Sequence, residues 1–130
     1  MSLIDISKIK GTRISEPYGR TVKIIVAPDI TDEVKDVSIT MGIIDPHSRN
    51  DLHIHEHQTE MLYIVSGHGR AIIDGAEYEI RHDSLIIAPP GVVHQQINDS
   101  DDTMKMFAIW TPPVTGDQVL NRAKKAAGME

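Results

Sequence analysis

At 130 residues the chain holds one domain of ordinary size, with 40% hydrophobic residues for an interior and no cysteine for disulfides or thiolate ligands. A formal charge of −6 argues against a nucleic-acid partner, since phosphate contacts need clustered Lys and Arg, and Arg122, Lys124 and Lys125 read as a solvated helix face. No stretch is apolar enough to span a bilayer, and Met1–Asp5 lacks the basic-then-apolar start of a secretory signal, so a cytoplasmic location away from membranes is the simplest expectation.

Strand signals run along the chain. Val22, Ile24 and Val26 mark a strand over about 21–27. Val37, Ile39, Met41 and Ile43 alternate with Ser38, Thr40 and Gly42, the period of a half-buried strand. Further strands are predicted at 60–66, 70–73 and 77–80, the last two flanking Asp74-Gly75. That dipeptide suits the type I′ hairpin turn, whose two central residues need positive φ. Residues 84–88 and 92–98 are strands separated by Pro89-Pro90-Gly91, and Met104, Met106, Ala108 and Trp110 mark the last one. Thr115 and Gln118 have capping-box spacing, and Val119, Leu120 and Ala123 share a face, predicting one C-terminal helix over about 116–127. Many short strands with frequent turns imply an all-β antiparallel sandwich or barrel, a single domain over 1–130 whose barrel spans about 36–111.

Histidine is the unusual component: seven copies, four of them between His47 and His57. In DLHIHEHQTE, His53, His55 and His57 stand at steps of two, which on a strand places them on one face. Neighbouring imidazoles can share Zn, Cu, Fe or Ni, and Glu60 can add an oxygen ligand. His94 follows the proline-glycine turn, where an adjacent strand could deliver it to the same point. From the local run alone, a metal site and a fortuitous polar strand are equally good readings. His57 is open to three roles: general base, ligand in place of Glu60, or solvent-facing residue. Gln96, in phase with His94, either orients a substrate or bound water or fills the barrel. Tyr63 is expected to pack. Met41, Ile64 and Met106 are expected to line the barrel and Trp110 to close one end, with His68 and His82 at the surface.

His53, His55, Glu60 and Gly67, followed by Pro89, Gly91, His94 and Asn98, read H-x-H-(x4)-E-(x6)-G and P-x-G-x-x-H-x-x-x-N. This pair of motifs resembles those of the cupin superfamily. His47 and Asp83 stand where that pattern usually has glycine; both are turn positions rather than ligands. The resemblance implies a jelly-roll barrel holding one divalent transition metal (Fe, Mn, Zn, Ni or Cu) through His53, His55, Glu60 and His94. It gives Gly67 and Gly91 to turns and Asn98 to a structural hydrogen bond. Three imidazoles and a carboxylate leave coordination positions open on a six-coordinate ion, which suits an enzyme of the dioxygenase or isomerase/lyase type. The competing readings are a closed structural zinc site and a non-catalytic module that binds or senses a small ligand. Small cupins often dimerise, and the N-terminal strand at 21–27 is expected to extend a sheet edge in a homodimer.

Overall fold

In the computed structural model, which describes residues 1–130, ten strands form two antiparallel sheets and one α-helix follows them. In chain order the strands are β1 (Thr12–Ile14), β2 (Arg20–Val26), β3 (Ser38–Ile44), β4 (Ser48–Arg49) and β5 (Thr59–Ser66). There follow β6 (His68–Ile73), β7 (Ala76–Arg81), β8 (Leu85–Ala88), β9 (His94–Asn98) and β10 (Met104–Thr111), then helix α1 (Gly116–Ala126). The larger sheet has the order β1-β2-β3-β10-β5-β8 and the smaller β4-β9-β6-β7. Ile14, Ile44, Leu62, Ile64, Ala71 and Met104 are buried between them, the core of a jelly roll. Each of the larger of these side chains contributes about 1.5–3 kcal/mol by leaving water. No helix is long and apolar enough to cross a membrane.

Every predicted strand is present within two residues of its expected bounds. Two more, β1 and β4, are only three and two residues long, too short to carry a period in the sequence. Strand β2 pairs with β1 on one side and β3 on the other, so it is not the free edge that was expected; β1 is. The phase of β3 is also reversed. Ser38, Thr40 and Ile44 point into the barrel, while Met41 packs with Ile25 and Val26 in a separate cluster covered by Ile6 and Ile9. The polar set is accommodated inside because Thr40 borders an inner cavity and Ser38 Oγ donates to the Val114 carbonyl. Tyr63 is likewise outside, half exposed, with its hydroxyl donating to Asp83.

The turns obey the backbone chemistry their residues suggest. Asp74 and Gly75 have φ of 50° and 85°, the type I′ pattern, between β6 and β7. Gly67 and Gly91 are left-handed at 88° and 84°. His47 and Asp83, the two residues in place of motif glycines, are left-handed too, at 54° and 70°. The conformation is retained although the residue type is not.

Helix α1 starts in a complete capping box. Thr115 Oγ1 accepts from the Gln118 N–H at 3.0 Å, and Gln118 Oε1 accepts from the Thr115 N–H at 2.9 Å. The Asp29 carboxylate, from the loop after β2, accepts from the N–H groups of Gly116 at 2.8 Å and Asp117 at 3.2 Å. These bonds dock the helix across one end of the barrel, where Val119 and Ala123 enter the core.

Candidate metal centre

The two motif segments are stitched together by backbone. His53 and His94 form an isolated antiparallel bridge, with N–H to carbonyl distances of 3.0 and 2.9 Å, and the Gly91 N–H donates to the His55 carbonyl at 2.9 Å. Glu60 is the second residue of β5 and points inward beside Leu62 and Ile64. The result is that one ligand atom from each of His53, His55, Glu60 and His94 lies within 4.8 Å of the others. All four side chains are at most 10% exposed.

These residues fit a cation better than they fit one another. His94, His55 and His53 bring Nε2 to 3.0, 3.4 and 3.7 Å from Glu60 Oε1. None of these approaches is a directed hydrogen bond, and Glu60 Oε1, His55 Nε2 and His94 Nε2 are buried with no hydrogen-bond partner. Orphaned polar atoms are costly inside a protein, so three of them converging on one point suits an ion there. His53 Nδ1 lies 2.7 Å from the Asp51 carbonyl, which can only accept, so Nδ1 carries the proton and Nε2 offers its lone pair inward. Burial pushes the His53 pKa down, keeping the imidazole neutral as coordination requires, although Glu60 pulls the other way. Burial pushes Glu60 up, but the three facing imidazoles outweigh it and hold the carboxyl well below its usual value. A His-His-Glu-His cluster in this form is compatible with a divalent metal.

Gln96 is fully buried behind His94, in a relay with Asn50. The Gln96 backbone N–H donates to Asn50 Oδ1 at 2.7 Å, Asn50 Nδ2 donates to Gln96 Oε1 at 2.6 Å, and Gln96 Nε2 donates to His94 Nδ1 at 3.2 Å. Ligation through His94 Nε2 would need the Gln96 amide to turn so that its oxygen receives the Nδ1 proton. Asn98 makes the hydrogen bonds its motif position implies. Its Nδ2 donates to the carbonyls of Ile44, Asp45 and Asp102, and its Oδ1 accepts from Ser100.

His57 does not join the cluster. The inward-outward alternation from Asp51 to His55 ends in a bend at Glu56 and His57, and His57 is exposed. The segment is irregular rather than a strand because its backbone pairs with β9 only at His53. His57 instead borders an outer groove of about 270 Å³ with His55, Gln58, Trp110, Gln118 and Arg122. Trp110 is buried as expected and meets the His55 ring edge-on at 4.4 Å. His68 and His82 are exposed.

An inner cavity of about 50 Å³ is bordered by His53, Glu60, Asn50, Arg20 and Arg122 together with apolar side chains. Arg122 therefore does not belong to a solvated face with Lys124 and Lys125. Its Nη1 donates to Asp51 Oδ2 at 2.8 Å, because Arg122 lies one turn from the buried Val119 and turns toward the barrel. Arg20 and Asp51 were absent from the sequence reading. One signal could have found Arg20: it has the phase of Val22 and Ile24 on β2, the inward phase.

The chain resembles an uncharacterized protein of Methanocaldococcus jannaschii, 28% identical over 102 residues that cover 75% of this chain and 81% of that one. Among solved structures, a predicted oxalate decarboxylase from Thermotoga maritima superposes with a TM-score of 0.78 at 20% identity, covering 85% of this chain and 99% of that one. Ectoine synthase from P. lautus superposes at 0.77 with 19% identity, covering 94% and 86%. At such identities the two solved structures establish the shared fold. The model of the Cupin domain family matches residues 40–110, more than half of the chain and inclusive of both motifs, and the chain belongs to that family.

Proposed function

We propose that this protein binds one divalent transition metal through His53, His55, Glu60 and His94 and is a metal-dependent enzyme acting on a small organic molecule, of the dioxygenase or isomerase/lyase type. The observation that carries the reading is the convergence of four buried ligand atoms, three of them without any hydrogen-bond partner. A bound ion would supply Lewis acidity toward a substrate oxygen. The chain's own groups do the rest. Gln96 holds the His94 ring, Asp51 holds His53, and Trp110 shields His55 from water. His57, exposed at the outer groove, would exchange protons with solvent there. The names of two solved neighbours, an oxalate decarboxylase and an ectoine synthase, are those of enzymes acting on small molecules, which supports the class of activity and no particular reaction. The protein acts in the cytoplasm as a homodimer in this reading.

Metal analysis of protein purified without added metal, followed by oxygen-uptake screening against small carbonyl and enol compounds, tests it. About one transition-metal ion per chain is expected, falling below a tenth in His53→Ala and His94→Ala. A wild-type chain that takes up no Fe, Mn, Zn, Ni or Cu ends the proposal.

A second reading, a non-catalytic module that binds or senses a small ligand, is favoured by one observation. Neither His57 nor Gln96 borders the inner cavity, so no proton-transfer group beyond the ligands themselves faces it.

A further inference from the structure

The interior charges beside the metal centre are unequal to their task. Arg20 points inward from β2 and is 4% exposed. A guanidinium has five N–H donors and stays protonated in proteins. Its one directed hydrogen bond here is from Nη1 to the Tyr18 carbonyl at 3.1 Å. Nη2 lies 3.7 Å from Asp51 Oδ1, beyond hydrogen-bond reach, and that buried oxygen has no partner. The other Asp51 oxygen is taken by Arg122. Two guanidiniums thus share one carboxylate, and the buried one gets the weaker half. Burial lowers the Arg20 pKa to about 10, an environment that does not fully offset the charge.

Arg20, Arg122, His53 and Glu60 all border the same inner cavity. With neutral imidazoles, the two arginines balance Asp51 and Glu60. A divalent ion would then leave two uncompensated positive charges in a buried space, which is expensive unless an anion enters. The planar fork of arginine matches a carboxylate through paired hydrogen bonds. Part of the wall is apolar, with Val22, Leu62, Met106 and Ala108. At about 50 Å³ the cavity admits only a few heavy atoms.

We infer that Arg20 is a binding residue for the carboxylate of a small organic acid whose carbon chain lies against this apolar wall. The inference rests on the metal reading above and names its substrate class. Arg122, which borders both the inner cavity and the outer groove, adds the second positive charge.

Full-length protein loaded with Zn²⁺ is titrated with pyruvate and lactate, and with pyruvamide and lactamide, which keep the skeleton and lose the charge. Calorimetry gives the affinity, and quenching of Trp110, the one tryptophan, reports occupancy of this site. Each acid is expected to bind at least ten-fold more tightly than its amide. Arg20→Gln is expected to lose at least ten-fold for the acids, with zinc content and amide binding unchanged, and Arg20→Lys to recover only part. Equal binding of acid and amide by the wild type overturns the inference, whether or not the variants fold. So does an Arg20→Gln protein that is folded, zinc-loaded and still binds the acids as the wild type does. The two readings fail separately. Zinc uptake without a preference for acids sinks the carboxylate site alone. A chain that takes no metal yet binds pyruvate through Arg20 sinks the metal reading alone.

Discussion

Gln96 sits behind the His94 imidazole, and that position defines its use. It touches His94 and Asn50 and does not border the inner cavity, so it acts on chemistry there through the His94 ring. Partners of this kind typically change metal affinity 10- to 100-fold when removed. Gln96→Leu is therefore expected to weaken Zn²⁺ binding by that factor in a competition titration. It should also lower stability by about 1–3 kcal/mol, because Asn50 Nδ2 loses its acceptor. Unchanged affinity would reduce Gln96 to a filler. The four cluster residues were legible in the sequence, since H-x-H, Glu60 and His94 stand in fixed spacing. Arg20, Asp51 and Arg122 were not, because they come from three distant segments and each alone reads as an ordinary surface charge. Their meaning appears only once the barrel gathers them around one cavity.

At the scale of elements, period and turn chemistry recovered the eight longer strands and the helix, while β1 and β4 fell below the length at which a period exists. The run around His57 failed for a related reason. Alternation identifies an extended chain but not where it bends, and the bend at Glu56 and His57 takes the third histidine out of phase. The docking of α1 lies in the contact with Asp29, which spacing within the helix could not reveal. Asp29 has its pKa lowered, first by the Gly116 N–H and further by that of Asp117, with burial opposing. A depressed carboxylate contributes stability above its unfolded value of 3.8 and loses it as pH falls through the folded one. Asp29→Asn should be less stable than wild type by about 0.5–1 kcal/mol at pH 6, a small figure because the group is near the surface. The gap should close as pH falls below that unfolded value, as the wild-type carboxyl becomes neutral. Urea unfolding above and below it measures the gap, and a gap that stays constant would mean the charge plays no part.

For the whole molecule, a metal bound at this cluster and the fold would be thermodynamically one system, since the four cluster residues assemble only in the native chain. At free metal 100-fold above Kd the gain is about 2.7 kcal/mol, roughly 10 °C in Tm for a domain of this size. Chelation of protein confirmed as metal-loaded should lower Tm by that order, and His55→Ala should remove most of the difference. An unchanged melting curve would contradict a site formed by folding. The homodimer is tested by sedimentation of the full chain and of a chain beginning near Lys35. Since β2 is paired on both sides within its own barrel, an N-terminal interface would have to use β1, the strand at the sheet edge. A full-length monomer at micromolar concentration rules the dimer out, and a shortened chain that is still a stable dimer frees the interface of β1 and β2.

The order of the larger sheet also governs how the molecule comes into being. Strand β10 lies between β3 and β5, joining residues 38–44 to 104–110 and 59–66 to 105–111. A chain emerging from the ribosome thus carries every cluster residue before the strand that completes the larger sheet exists. Closing loops of that length costs entropy before any contact rewards it, and folding dominated by such pairings takes milliseconds to seconds. Until β10 arrives, β3 and β5 expose unpaired edges, the state in which nascent β-proteins associate wrongly. The chain is expected to fold only once β10 has been made, with its yield set by how well those edges are shielded while they wait.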